Sequence, residues 1–356
     1  MFSSRFIKNV YSLILMKIKE MQIKSWLLNS NIRGSNGEVY SWVNSNHSGY
    51  VYNEIIGYYI SYLTILYKKE MDQTRKKYFI EKAINSTTYL KQQSVQGGLG
   101  REEILYAFDT GICLTGLLRL KEISLTWGKE LDMCINELAS FLLLYLNQKK
   151  AAINKETNKE VFDKEKWSLS YGSLLIKMAI PLYLLYESTN DLMYKNKAIA
   201  LCQELISLCF KEDHFCINSY SSKVYTHPHC YAIEGLLFLK EKGISNFDHI
   251  IIRAAEWLAK QQNSDGSLYS WYYHTEIEKI KNGDCSAQAV RIWLAVDKKK
   301  YKKNIESGFQ FLSTLQSKEG GLYYNSLSKD INSWVSLFAW QAYDWTINGV
   351  YVSQII

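Results

Sequence analysis

One short pattern returns along this chain: an amphipathic, helix-like segment ending in Gln, followed by a Gly turn. It stands at Leu90-Lys91-Gln92-Gln93 with Gly97-Gly98-Leu99 and at Leu258-Ala259-Lys260-Gln261-Gln262 with Asp265-Gly266-Ser267-Leu268. A third copy is Leu315-Gln316 with Gly320-Gly321-Leu322. The last two turns are about 55 residues apart and the first lies about three such periods earlier; a fixed period of this length marks a repeat architecture. Polar breaks near Asn154 to Lys159, near Glu212 to Phe215 and at Gly34 to Gly37 supply the missing turns. The chain therefore divides into roughly six helical hairpins. Pro181 and Pro228 are the two prolines in 356 residues, so long helices run uninterrupted.

The first helix of each hairpin is predicted over residues 6–25, 71–93, 130–147, 192–210, 247–262 and 302–316. The second is predicted over 52–67, 109–120, 170–186, 229–240, 284–296 and 332–345. The first set carries one apolar stripe opposite a charged face, as surface helices do. The second set has few charges, and Leu174, Leu175, Ile176, Met178, Ile180 and Leu182 run almost without a break. A helix that is apolar all round is buried. Both sets are satisfied by a closed ring with the first helices outside and the second inside: an all-α (α/α)6 toroid, a single domain spanning 1–356. An open helical solenoid is the competing geometry; the hairpin count and the lack of a polar capping helix at either end favour closure.

Composition narrows the function. Net charge is +7, with Lys298-Lys299-Lys300 and Lys302-Lys303 reading as a solvated face. No basic segment is interleaved with aromatics in a nucleic-acid module, so no nucleic-acid partner is expected. Seven cysteines are scattered without a CxxC pair, which fits buried thiols in a reducing compartment. The apolar run at residues 10–16 is short and lacks a cleavage site, so it reads as part of the first helix rather than a signal peptide. No stretch is long and apolar enough to span a bilayer. The chain is expected to be cytoplasmic. Aromatic residues make up 14%, with 27 Tyr and 10 Trp. Such rings suit half-buried pocket walls, where they stack on sugars, as well as plain core packing.

Reactive side chains concentrate where a polar loop becomes an apolar helix, at Tyr225-Thr226-His227-Pro228-His229-Cys230-Tyr231-Ala232-Ile233-Glu234-Gly235. Pro228 fits a first helical turn, which makes Thr226 or His227 the expected N-cap. His227, His229, Cys230 and Glu234 are expected to converge at this helix mouth. In a ring, the other inner helices open their positive N-terminal ends onto the same cavity, which suits an oxygen-rich or anionic ligand. The residues there are Asn53 and Glu54, Asp109, Asp284 and Cys285, and Asp330 and Asn332. Asp109, Asp284 and Asp330 also stand where a helix N-cap would stand. Acid–base chemistry is assigned to His227, His229, Glu54, Asp109 and Glu234. Tyr52, Tyr106, Trp167, Tyr171, Trp271 and Trp334 are expected to stack on a ligand, with Asn53, Asp284 and Asn332 binding it. No cofactor and no metal are assigned; Cys230 and Cys285 with a nearby His make a zinc site the alternative.

The Gln-plus-Gly turns resemble those of the terpenoid cyclase and prenyltransferase α/α-toroid superfamily. Over most of the chain, Tyr52-Asn53-Glu54-Ile55-Ile56-Gly57-Tyr58, Phe108-Asp109-Thr110-Gly111, Thr226-His227-Pro228-His229 and residues Asn332 to Ala342 resemble bacterial α/α-toroid proteins of surface-polysaccharide synthesis. Those are related in fold to six-hairpin glycosidases and to sugar epimerases of the N-acylglucosamine 2-epimerase type. His227-Pro228-His229 with Glu234 is similar to that epimerase's His-Pro-Gly-His and downstream Glu, without the glycine. The resemblance implies a carbohydrate-active enzyme, hydrolase or epimerase, with a sugar or oligosaccharide substrate. The alternatives are a prenyltransferase-, terpene-cyclase- or lanthionine-cyclase-like toroid acting on an isoprenoid or peptide, and a non-catalytic glycan-binding protein. The Asp-x-Cys of prenyltransferases and the Asp-x-Asp-Asp of squalene cyclases are not matched.

Overall fold

The computed structural model describes residues 4–44, 46, 49–124, 128–272 and 277–356. Among them twelve α-helices follow in order: α1 (Ser4–Leu27), α2 (Asn53–Lys69), α3 (Gln73–Gln93), α4 (Ala107–Lys121), α5 (Gly128–Asn147) and α6 (Ala179–Thr189). The second half holds α7 (Leu192–Cys209), α8 (Thr226–Glu241), α9 (Asp248–Lys260), α10 (Gly283–Asp297), α11 (Lys302–Thr314) and α12 (Ser333–Asn348). The even-numbered helices line the centre and the odd-numbered ones lie outside. Sequence dictates which is which. In α3 the buried residues are Phe79, Ala83, Ser86, Thr87 and Leu90, a single stripe at helical spacing, and all of its charged residues lie off that stripe. In α2 every residue from Asn53 to Leu66 is buried.

Neighbouring inner helices pack in sequence, α2 on α4, α4 on α6, α8 on α10 and α10 on α12, and α12 returns to α2. The ring closes where its ends meet. Helix α1 packs on α12, strand Trp42–Val43 pairs antiparallel with Ile331–Asn332, and the Ser333 amide and hydroxyl donate to Ser41 O at 3.0 Å and Tyr40 O at 2.7 Å. The architecture is the (α/α)6 toroid expected from the repeat, and not a solenoid.

The repeated Gln and Gly have a physical role in this closure. Gln262 Nε2 donates to Gly266 O and Gln316 Nε2 to Gly320 O, both at 3.1 Å, so each Gln clamps its own turn. Gly266 and Gly320 have positive φ, 86° and 107°, a conformation that costs glycine nothing. Each lies flat on the backbone of the next outer helix: Gly266 on Ser307 of α11, and Gly320 on Gln22 of α1, which carries the series across the seam. The two fainter turns are hairpins in which Asn158, Glu212 and Asp213 adopt positive φ in place of glycine, which is why they read as merely polar.

Two local expectations are corrected. The inner helix predicted over 170–186 begins as a 3-10 helix, Ser173–Met178, and becomes α-helical at Ala179; Pro181 has no N–H to continue an α-helical ladder upstream. The caps also differ. Tyr225 occupies the N-cap position of α8 without a side-chain cap, and the Thr226 hydroxyl instead donates to Tyr269 O at 2.7 Å. Tyr106 and Asn282 precede α4 and α10, so Asp109 and Asp284 lie inside the first turn. The cap of α12 is Asn332, whose Oδ1 accepts from Val335 N at 3.0 Å. Asp330 instead accepts from Asn44 Nδ2 at 2.8 Å.

Candidate active site

The N-terminal ends of the inner helices share one pole, and a cavity of about 370 Å³ opens there. Short strands deliver its walls. Trp42 comes from the seam strand, Arg101 and Tyr106 from the hairpin before α4, and Tyr225 from the strand before α8. Tyr50, Tyr52 and Trp334 form a second aromatic wall, with Tyr52 and Trp334 5.6 Å apart. Trp167 and Tyr324 complete the ring of aromatics. The deep, buried side is polar: Glu54, His227, Asp284 and Asn332.

Glu54 lies one residue into α2. Burial pushes its carboxyl up to about 7, and hydroxyl and indole donors from Trp334, Tyr231 and Tyr58 only partly offset this. Tyr231 Oη donates to its Oε1 at 3.2 Å. Asp109, one inner helix away, is raised well above the carboxylate range by burial and then by the Glu54 charge, and its Oδ2 is buried without a hydrogen-bond partner. Two such carboxyls resist ionising together. Asp284, across the cavity in α10, is pushed by burial to about 6, although the Cys285 amide donates to its Oδ1 at 2.8 Å.

His227 is neutral. Burial lowers its imidazole to about 3, so the 3.8 Å approach of Nδ1 to Asp284 is not an ion pair and is too long for a hydrogen bond. Nδ1 lies 2.5 Å from Gln288 Oε1. A Gln oxygen only accepts, so Nδ1 carries the proton, and Nε2 is left as the acceptor for a ligand. Gln288 is oriented in turn, since its Nε2 donates to Glu234 Oε1 at 3.3 Å. Glu234 is held by Lys177 Nζ at 2.7 Å and by Arg291 Nη2. Lys177 also reaches Tyr58 Oη at 3.4 Å, so one buried polar network underlies both Glu54 and His227.

The structure separates residues that the sequence reading had brought together. His227 and His229 are two residues apart on a helix, hence about 200° apart around it, and only one can face the axis. His229 points outward. Its Nδ1 accepts from Phe215 N at 3.1 Å and its Nε2 faces Ala254 O at 3.3 Å, which joins α8 to α9. It is fully buried and held neutral, lowered to about 3. Glu234 does share the face of His227, but seven residues place it about 10.5 Å deeper along the axis, beneath the cavity. Neither residue is on the cavity wall, and neither is Asp109, which is buried in the first turn of α4. Nor is Tyr171, whose hydroxyl donates to Glu204 at 3.2 Å, or Trp271, which stacks behind Tyr225 at 4.4 Å. Asn53 Nδ2 donates to Gly100 O, so it fastens the strand Leu99–Arg101 instead of lining the cavity. Tyr52, Glu54, Tyr106, Trp167, His227, Asp284, Asn332 and Trp334 do line it.

Trp42, Tyr50, Arg101, Tyr225 and Tyr324 were not assigned from sequence. They arrive on short strands and the loops beside them, which no helical periodicity marks; Tyr225 alone had a signal, since it precedes the polar helix mouth. Cys230 and Cys285 are buried, with thiols pushed well above their ordinary range by burial. Among the described residues no three His, Cys, Asp or Glu gather as metal ligands.

No family model matches the chain, and no curated protein matches its sequence. Solved structures do match its fold. A cellobiose 2-epimerase from Bacillus thermoamylovorans B4167 superposes with a TM-score of 0.74 at 13% identity, over 93% of this chain and 98% of that one. A D-mannose isomerase gives 0.71 at 13% identity, over 94% and 97%. A glycosyl hydrolase family 88 protein from Bacteroides vulgatus gives 0.67 at 10% identity, over 95% and 99%. In fold, this chain is an (α/α)6 toroid, as these three structures are.

Proposed function

We propose that the protein is a carbohydrate-active enzyme of surface-polysaccharide metabolism that cleaves a glycosidic bond. The observation that carries this reading is Glu54: a buried carboxyl raised to about 7, on the deep side of a cavity walled by Tyr and Trp. A group at about 7 keeps a large protonated fraction near neutral pH, where an ordinary carboxyl keeps almost none, and so serves as general acid. In this reading Glu54 protonates the leaving oxygen of the sugar. Asp284, ionised above about 6, takes a proton from the attacking water. One water adds across one C–O bond, two hydroxyls result, and the two carboxyls return to their starting states by exchange with solvent. His227 Nε2 accepts from a sugar hydroxyl, and Asp109, raised by burial and by the Glu54 charge, stays protonated when Glu54 gives up its proton. The printed names of the fold neighbours, epimerase, isomerase and glycosyl hydrolase, support a sugar substrate. An epimerase with two histidine bases is less well served, because His229 faces away from the cavity. The seven cysteines are free, in keeping with a cytoplasmic location.

The test is to incubate the protein with a panel of oligosaccharides and follow new reducing ends beside sugar epimers by NMR. Cleavage that Glu54→Gln removes, with the melting temperature unchanged, is the expected result. Epimers without cleavage, or cleavage undiminished in Glu54→Gln, would overturn the hydrolytic reading.

A further inference from the structure

Among the described residues on the cavity wall, Arg101 is the one Lys or Arg, and the chemistry above does not use it. Its position is built. Strand Leu99–Arg101 pairs with Ile104–Tyr106, and Asn53 Nδ2 ties Gly100 O to the start of α2 at 2.9 Å. The guanidinium carbon sits 5.4 Å from the ring centroids of both Tyr50 and Tyr52. Nη1 donates to the Tyr50 hydroxyl at 3.3 Å. No Asp or Glu among the described residues forms an ion pair with Arg101. The fork is therefore fixed by two rings and one hydroxyl, while Nε and Nη2 stay uncommitted. A planar guanidinium held this way matches a carboxylate or sulfate by paired, charge-assisted hydrogen bonds. The surroundings agree. The N-termini of α2 and α4 point positive dipole at this side of the cavity. The nearby Glu54 and Asp109 carboxyls are raised by burial and so oppose an anion less than ordinary carboxylates do.

We propose that Arg101 makes the cavity selective for an acidic saccharide, seating an anionic substituent of the sugar on its guanidinium beside Tyr50 and Tyr52. This rests on the carbohydrate reading of the cavity and names the class of sugar.

The experiment reads binding without turnover, through the fluorescence of Trp42, Trp167 and Trp334 in the cavity wall. D-glucuronate, D-glucose 6-sulfate and D-glucose are titrated into the intact protein, into Arg101→Met and into Arg101→Lys. An anionic sugar is expected to bind about tenfold tighter than glucose, the scale of one charge-assisted pair. Arg101→Met should erase that preference, and Arg101→Lys should restore part of it, with the charge kept and the fork lost. A stronger response to glucuronate assigns a uronic acid, and a stronger response to the 6-sulfate assigns a sulfate ester. Equal binding of glucose and both anions by the intact protein, or an anion preference that survives Arg101→Met, would overturn the proposal. Arg101 is exposed, so these variants should keep the parent melting temperature. A protein that binds the anionic sugar but cleaves no glycoside would retain this site and discard the hydrolytic reading. Cleavage of neutral and acidic substrates at equal rates would do the reverse.

Discussion

At the scale of single residues, burial is what turns ordinary side chains into candidates for chemistry. Glu54 and Asp284 carry the same functional group, yet their environments set them at about 7 and about 6. Activity should therefore be bell-shaped in pH. It falls as pH drops through about 6, because Asp284 takes up the proton that disables it as a base. It falls again as pH rises through about 7, because Glu54 loses the proton it must donate. Asp284→Asn should remove most of the rate, and the small remainder should lack the acid limb; an unchanged acid limb would exclude Asp284 as the base. His229 makes a different prediction. Its folded value of about 3 is depressed, so folding excludes a proton that the unfolded chain binds below about 6.5. The stability it carries is complete above about 6.5 and is lost as pH falls from there towards 3, at up to about 1.4 kcal/mol per pH unit. In His229→Gln the melting temperature should start lower at pH 7 but fall less between pH 7 and pH 5. Glu234→Ala leaves Lys177 and Arg291 buried without their partner. A cost of about 3–5 kcal/mol is expected for breaking such a pair, seen as a large drop in denaturant midpoint. The sequence showed an acid and two histidines near one helix start. It did not weigh depth along the axis against angle around it, and those two coordinates decide that His227 reaches the cavity while His229 and Glu234 do not.

At the scale of elements, the unit that repeats is a helix, a Gln-clamped turn and a second helix. The turn glycine is required twice over, by its positive φ and by the backbone of the next outer helix lying against it. Gly266→Ala adds a Cβ where the Ser307 carbonyl already stands, so α11 must shift. A loss of about 2 kcal/mol or more is expected, since a strained backbone alone costs about 1–3 kcal/mol; a melting curve equal to that of the parent would show that the turn relaxes freely. The helices were legible because their two patterns are so different, one stripe against apolar all round. The short strands before α4, α8 and α12 were not legible. At two or three residues each they are too brief for an alternating pattern, and they are the elements that carry Arg101, Tyr106, Tyr225 and Asn332 into the cavity.

At the scale of the whole molecule, the seam and the cavity are one structure. Trp42 and Asn332 are strand partners across the closure and both stand in the cavity wall. We expect the ring to unfold as one unit, because each inner helix needs both neighbours to bury its apolar faces. Far-ultraviolet circular dichroism and tryptophan fluorescence should report coincident transitions, whereas two separated transitions would mean that the hairpins form independent halves. Sequence alone determined the class of helix at each position, the number of hairpins and hence the ring, because periodicity and burial are local to each segment. It also placed carboxyls and a histidine at the inner helix starts. Tertiary structure alone decided which of those groups share a cavity, which proton each holds, and that an arginine from a hairpin faces them. Those properties depend on distances between segments far apart in the chain and on the water that packing removes, and no single stretch of residues encodes either.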